Sequence, residues 1–282
     1  MVSRRAFVQQ SLTALVGSSV LLEKGSSCAA QPATEPEHLK AIGLQLYTMR
    51  SEMQKSVEAT LDRVAQIGYN EVEFAGYFGR TPQQISDALK KSGLTSPAAH
   101  IDMRAPWDKT LEDAAIVGHE YLVVPWMDES QRTPDGVKQL AQEFNRRAEA
   151  ARKAGKNFAY HNHDFEFKQL GNSGKLLYDT LLESTDPKLV LMEMDLFWIT
   201  RGGQDPLAYW NKYPGRFPLL HIKDMAADQS MQDVGSGQIP FAKYFKARNV
   251  GGATHFFVEH DQPKDPFASI DRSYQHLKQL SF

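Results

Sequence analysis

A single (β/α)8 barrel is the fold this sequence predicts, and three observations predict it. From Ala41 onward, short β-prone runs alternate with amphipathic stretches of helical length. The stretch 40–282 has the size of one such barrel, about 250 residues. The first strand is followed by Leu46-Tyr47-Thr48-Met49-Arg50, without the glycine-rich phosphate loop that a doubly wound nucleotide-binding sheet would place there.

The elements follow in order. Strands are expected at 42–47, 71–74, 97–101, 121–125, 157–161, 189–195, 219–222 and 256–259, and helices between them at 57–66, 83–91, 111–117, 137–154 and 267–280. Helices run out at glycine in Ile67-Gly68-Tyr69 and Ala154-Gly155-Lys156, where a left-handed cap costs glycine little. The fold class is thus α/β, a TIM barrel over 40–282.

The first thirty residues have another character. They open Ser3-Arg4-Arg5-Ala6-Phe7-Val8, continue through an apolar run at 12–22 and reach the small-residue stretch Ser26-Ser27-Cys28-Ala29-Ala30. That reads as a cleaved export signal over 1–30, resembling the twin-arginine type, with a polar linker at 31–39. The competing reading is a frayed terminus with an accidental arginine pair. The apolar run is too short to span about 30 Å of hydrocarbon, so no membrane span is expected, and the expected location is the periplasm. A variant reading makes Cys28 a lipid anchor after cleavage.

Composition narrows the function. Of 282 residues, 41% are hydrophobic, and 32 Lys and Arg face 34 Asp and Glu for a net charge of -2. A core of full size is affordable, and no basic block marks a nucleic-acid partner. Cys28 is the only cysteine, which excludes an intramolecular disulfide and a cysteine zinc cluster. A metal would have to be held by His and carboxylates.

In this barrel type the chemistry sits at the carboxyl ends of the strands. The fifth predicted strand ends Tyr160-His161-Asn162-His163, the sixth Met192-Glu193-Met194-Asp195, the seventh Leu220-His221-Ile222-Lys223-Asp224 and the eighth Phe257-Val258-Glu259-His260. His161, Asp195, His221 and Glu259 therefore reach one rim. Taken singly each reads as a satisfied core or rim residue; four ligand types ending four successive strands read as a site for a divalent ion such as Mn, Fe, Co, Zn or Mg.

These residues resemble the xylose-isomerase-like sugar isomerase/epimerase superfamily, whose members include sugar 3-epimerases, hydroxypyruvate isomerase, inosose dehydratase and endonuclease IV. The resemblance covers nearly everything after residue 40. It implies a metal held by a Glu, an Asp, a His and a Glu after strands five to eight. Asp195, His221 and Glu259 match, as does the text from His221-Ile222-Lys223-Asp224 to Val234-Gly235-Ser236-Gly237-Gln238-Ile239. Strand five departs: His161-Asn162-His163 stands where the usual text is close to Glu-Asn-His. A ligating imidazole cannot shuttle a proton as the family's Glu does, so epimerisation by two opposed glutamates is disfavoured while isomerisation, elimination and hydration stay open.

The remaining candidates follow from position. Glu259 is the first choice of base, with Lys223 or His163 second. Lys223, two residues past His221, faces the same side and is expected to have its pKa lowered by the metal, or else to pair with Asp224. His163 faces the site beside His161. Glu73 and His100 stand at the ends of strands two and three on the rim as sugar contacts, with Glu73 alternatively a base and His100 alternatively a satisfied core residue. Trp107, Trp126, Phe165 and Trp198 offer faces for a pyranose, and Glu166 and Arg201 offer clamps for its oxygens. Gly235-Ser236-Gly237 is a weak phosphate cradle and reads equally as a tight turn. The function expected is that of a metal-dependent sugar isomerase or epimerase working through an enediolate on an unphosphorylated carbohydrate. The alternatives are a lyase or dehydratase on a keto-sugar, inosose or 3-keto-glycoside, a metal-dependent hydrolase, and an exported sugar-binding protein without turnover.

Overall fold

Parallel strands close on themselves in the computed structural model, which describes residues 36–171 and 174–282. The barrel strands are β1 (Gly43–Gln45), β2 (Glu71–Phe74), β3 (Thr95–His100), β4 (Tyr121–Val124), β5 (Asn157–His161), β6 (Val190–Asp195), β7 (Leu219–Ile222) and β10 (His255–Val258). Sequential neighbours pair in parallel register, and β1 closes the ring against β10. A small antiparallel hairpin, β8 (Asp224–Met225) and β9 (Met231–Gln232), stands in the loop after β7. The expected export signal at 1–30, with Arg4, Arg5 and Cys28, lies outside the described residues. Of the expected linker, residues 36–39 are described, and Glu37 exchanges backbone hydrogen bonds with Phe282 at 3.2 and 3.0 Å.

Helix starts and stops have local causes. The helices α3 (Pro82–Ser92), α5 (Pro134–Lys153), α8 (Pro206–Lys212) and α10 (Pro266–Gln279) each begin with proline after a Thr or Asp. The side chains of Thr81, Thr133, Asp205 and Asp265 accept the backbone N–H groups that proline and the first turn leave unpaired. Gly68 and Gly155 take positive φ of 124° and 71°, as their place at helix ends predicts.

The barrel interior changes character with depth. Ala98, Val123, Ala159, Leu219 and Phe257 form one apolar layer. Small residues on the facing strands leave room for the Phe257 ring, and a side chain at Gly43 would collide with it. Beyond Phe257 the interior turns polar, with Gln45, Glu73, Glu193 and His221 all at 0% exposure. The larger core lies between the barrel and its helices, around Phe144, Phe158, Tyr178 and Trp210. Among the described residues no helix is long and apolar enough to cross a membrane.

Candidate metal centre

The structure brings His161, Asp195, His221 and Glu259 together, each offering one ligand atom within 4.8 Å of the others. Register explains why. Asp195 and His221 are direct cross-strand partners on β6 and β7, and Glu259 follows β10 by one residue with its N–H on Ile222 O. Asp195 divides its carboxylate between two tasks. Oδ1 accepts Phe197 N and Trp198 N at 2.9 Å and starts the helix α7 (Leu196–Arg201), while Oδ2 faces His161 Nε2 at 3.3 Å. A helix cap thus fixes which oxygen meets the site. Asn162, between the two strand-five histidines, reaches back to the Asp195 backbone through its Oδ1 at 3.2 Å.

A second layer lies deeper in the barrel. Glu73, His100, Glu193 and His221 also place ligand-type atoms within 4.8 Å of one another, so His221 belongs to both groups. Its Nδ1 faces Glu259 at 2.8 Å and its Nε2 faces Glu73 at 2.7 Å and Glu193 at 3.1 Å. His100 Nε2 meets Glu193 at 2.9 Å, and Gln45 Nε2 donates to Glu73 at 2.7 Å. Glu73, expected as a sugar contact on the rim, is fully buried, with its Oε2 taken up by Gln45 Nε2 and His221 Nε2. Burial and the neighbouring Glu193 charge push the Glu73 carboxyl up to about 7. Glu193 goes the other way: burial opposes its charge, but His221 and His100 hold it well below the usual carboxylate range. Neither Glu193 nor Gln45 stood out in the sequence. The signal for Glu193 was present, since it lies two residues before Asp195 and must share its face.

Lys223 is only 2% exposed and does not pair with Asp224, the partner that one expectation gave it. Its ammonium lies 3.1 Å from Asp195 Oδ2, 2.7 Å from Glu259 Oε2 and 2.9 Å from Asp261 Oδ1. Burial opposes its charge, but the three carboxylates outweigh burial and raise its pKa well above the ordinary value. Its ammonium is held in the charged form. Glu259 is correspondingly held well below the carboxylate range, against its burial, by Lys223 and His221.

Asp224 does other work. Its Oδ1 accepts Met225 N and Ile239 N at 2.8 and 3.1 Å, and its Oδ2 accepts Gly235 N and Gly237 N, both at 2.9 Å. The amides of Gly235-Ser236-Gly237 that a phosphate would use are therefore spent inside the protein.

The outer candidates divide into two sets. His163 stays at the site, its ring 4.8 Å from His161 and packed against Phe165, Trp126 and Trp198. Its Nδ1 is buried without a hydrogen-bond partner, and burial first, then the His161 charge, lowers its pKa well below the usual value, so the imidazole is neutral. Trp198 lies 5.7 Å from the Lys223 ammonium, and Arg201 lies over Trp198 at 5.2 Å. Trp126 is half exposed. His100 is 11% exposed and lines an open cleft of about 940 Å³ over the loops that follow β1 to β4. Two residues turn inward. Glu166 is fully buried, holding Tyr160 OH at 2.6 Å and His163 N at 2.9 Å, and so braces the His163 backbone where a sugar clamp was expected. Trp107 begins the helix α4 (Trp107–Val117) and is partly buried, edge-on to Phe158 at 6.1 Å.

The model of the xylose isomerase-like TIM barrel matches residues 61–280. The chain belongs to that family. The family resemblance extends to an inosose dehydratase of Lacticaseibacillus casei, 24% identical over 210 residues that make up 64% of this chain and 68% of that one. A sugar phosphate isomerase/epimerase from Parabacteroides distasonis is similar in structure, with a TM-score of 0.76 and 29% identity over 85% of this chain and 98% of that one. The IolI protein, solved with a bound zinc atom, shares the family fold at a TM-score of 0.65 and 12% identity, over 86% of this chain and 99% of that one.

The residues of this family member fit a divalent cation on their own chemistry. Two imidazoles and two carboxylates make a borderline nitrogen and oxygen donor set. Burial opposes a charge on His221, yet Glu193 and Glu259 raise its pKa well above the ordinary value. The field that draws a proton onto this imidazole also draws a metal ion.

Proposed function

We propose that this protein is a metal-dependent sugar enzyme that removes the proton beside a carbonyl of an unphosphorylated carbohydrate, with elimination of a β-oxygen substituent as the outcome the site supports best. The observation that carries it is that an imidazole with an unpartnered buried nitrogen, His163, and an ammonium, Lys223, flank one ligand group, His163 with its ring 4.8 Å from His161 and Lys223 at 3.1 and 2.7 Å from Asp195 and Glu259. His161, Asp195, His221 and Glu259 would hold the cation, with the Nε2 side of His221 oriented by Glu73 and Glu193. Bound there, the cation supplies Lewis acidity that lowers the cost of forming an enolate.

His163 accepts the C–H proton through its unpartnered nitrogen. Glu259 was the first choice of base, but its carboxylate is already engaged by Lys223 Nζ at 2.7 Å and His221 Nδ1 at 2.8 Å, whereas His163 Nδ1 has no partner. The electron pair moves from the C–H bond onto the carbonyl oxygen. On collapse it expels the β-oxygen, which takes a proton from Lys223 Nζ. The buried position of the site keeps bulk water from trapping the enolate. The spent amides of Gly235 and Gly237 support a substrate without phosphate. Trp198 and Arg201 are the groups at hand for the reacting sugar ring and its oxygens. Isomerisation is the second reading, favoured by the similarity to the P. distasonis isomerase/epimerase. Inosose and 3-keto-glycosides are the substrates to screen first.

The test is turnover in D2O with His163→Gln and Glu259→Gln after metal analysis. His163→Gln should retain metal and lose a factor on the order of 10² to 10⁴ in both exchange and turnover. A larger loss of exchange in Glu259→Gln with metal retained would move the base to Glu259. An unsaturated product marks elimination and an interconverted ketose marks isomerisation. Periplasmic export through the twin-arginine route belongs to the same proposal, resting on Arg4-Arg5 and the apolar run behind them. Changing both arginines to lysine should leave precursor in the cytoplasm, and unchanged export would exclude that route.

A further inference from the structure

The open cleft beside the ligand group carries features that the proposed chemistry does not use. At about 940 Å³ it stands at the upper end of small-molecule sites, roughly 300–1,000 Å³. Its inner end is His100, whose ring lies 5.4 Å from His161 and 5.5 Å from His221. A molecule in the cleft therefore abuts whatever is held at the ligand group. Farther out the lining includes Tyr47 and Trp126, which at 43% and 50% exposure are among the few large hydrophobic side chains left open to solvent. Exposed aromatic faces that share one cleft mark a binding surface better than scattered ones do.

Arg147 supplies the second observation. It lines the same cleft, with Nε on Glu143 at 2.5 Å and Nη2 on Met103 O at 2.7 Å. Its Nη1 is buried and has no hydrogen-bond partner. A buried donor without an acceptor is costly, and a ligand hydroxyl would satisfy it. Four of the five Asp, Glu and Arg side chains along the cleft are neutralised in pairs, Arg104 with Asp102 and Arg147 with Glu143, and Asp128 is the fifth. The surface so formed offers aromatic faces and hydrogen bonds with a single net negative charge, which suits the hydroxyls of a neutral sugar ring.

We propose that this cleft is a second sugar-ring subsite, and that the substrate is therefore a glycoside of at least two rings. The carbonyl-bearing ring sits at the ligand group and its linked neighbour lies in the cleft against Tyr47, Trp126 and Arg147. This assignment rests on the reading of the barrel as a sugar enzyme.

The experiment is titration calorimetry on the zinc-loaded protein with methyl β-glucoside, methyl α-glucoside, cellobiose and maltose. The disaccharide of the preferred linkage should bind at least tenfold tighter than the methyl glycoside of the same anomer. Tyr47→Ala and Arg147→Met, checked for folding by circular dichroism, should each reduce that ratio at least threefold and change methyl glucoside binding less than twofold. Disaccharides that stay within twofold of their methyl glycosides overturn the subsite, as do variants that weaken both kinds of sugar equally. If methyl glucoside binds without any disaccharide gain, the subsite alone fails. If no sugar binds, the sugar-enzyme reading fails with it.

Discussion

Replacing Lys223 with methionine keeps the length of the side chain and removes its ammonium from among Asp195, Glu259 and Asp261, which it meets at 3.1, 2.7 and 2.9 Å. Breaking a buried ion pair by removing one partner costs about 3–5 kcal/mol, because the other charge is left without compensation. Asp261 is 30% exposed and can rehydrate, so the cost falls mainly on Asp195 and Glu259, at 0% and 5%. In a protein of this size each kcal/mol moves Tm by roughly 2–4 °C, and the chelator-treated variant should therefore melt on the order of 10 °C below the wild type. The ammonium also holds the same oxygens, Asp195 Oδ2 and Glu259 Oε2, that the ligand group would offer to a cation. Removing it should raise affinity for zinc or cobalt by about tenfold or more, equivalent to about 1.4 kcal/mol, while turnover is lost with the proton donor. Calorimetric melting in chelator and then in metal, followed by a metal titration, reads all three effects. A chelator-treated variant that melts within about 2 °C of wild type, or binds metal more weakly, would refute Lys223 as the counter-charge of these carboxylates.

Two further predictions concern parts of the fold that support the site. Asp224→Asn keeps one acceptor oxygen but turns an amide donor toward two of the four N–H groups that the carboxylate now binds. At about 1.5–3 kcal/mol for each hydrogen bond to a charged group, roughly 3–6 kcal/mol should be lost, and hydrogen exchange should quicken first at Gly235 and Gly237; unchanged protection there would remove Asp224 as the clamp of this loop. His119 is buried with its pKa lowered to about 4, by burial above all, so the neutral ring is the stable form. Its contribution is fully present above the unfolded value near 6.5 and is lost as pH falls through 4, a swing of about 3 kcal/mol. The stability difference between wild type and His119→Gln should therefore shrink in denaturant melts taken from pH 7 down to pH 4, and a difference independent of pH would show that the ring is not buried neutral.

Much of the architecture was legible because it is local. Alternating β-prone and amphipathic runs located the barrel strands to within a few residues. Thr81-Pro82, Thr133-Pro134, Asp205-Pro206 and Asp265-Pro266 encode helix starts in adjacent residues. The convergence of His161, Asp195, His221 and Glu259 was also legible, since in a closed parallel barrel the end of a strand is a place as well as a position in the chain.

What the sequence could not decide was level and sign. Glu73 and Asp195 both lie at or next to strand ends, yet the fold sets Glu73 against His221 Nε2 and Asp195 against the Lys223 ammonium. Glu166 and Trp107 look like loop residues in the sequence, and only packing shows that Tyr160 OH and Phe158 have claimed them. Lys223 was expected to pair with Asp224 if it stood free of a metal; three other carboxylates, one ending β6 and two following β10, hold its ammonium and raise its pKa. The strand-end residues of this protein were set by the sequence because backbone periodicity is a property of neighbours in the chain. Their protonation and reach were decided by the tertiary structure, because electrostatics sums over groups that the chain brings together from far apart.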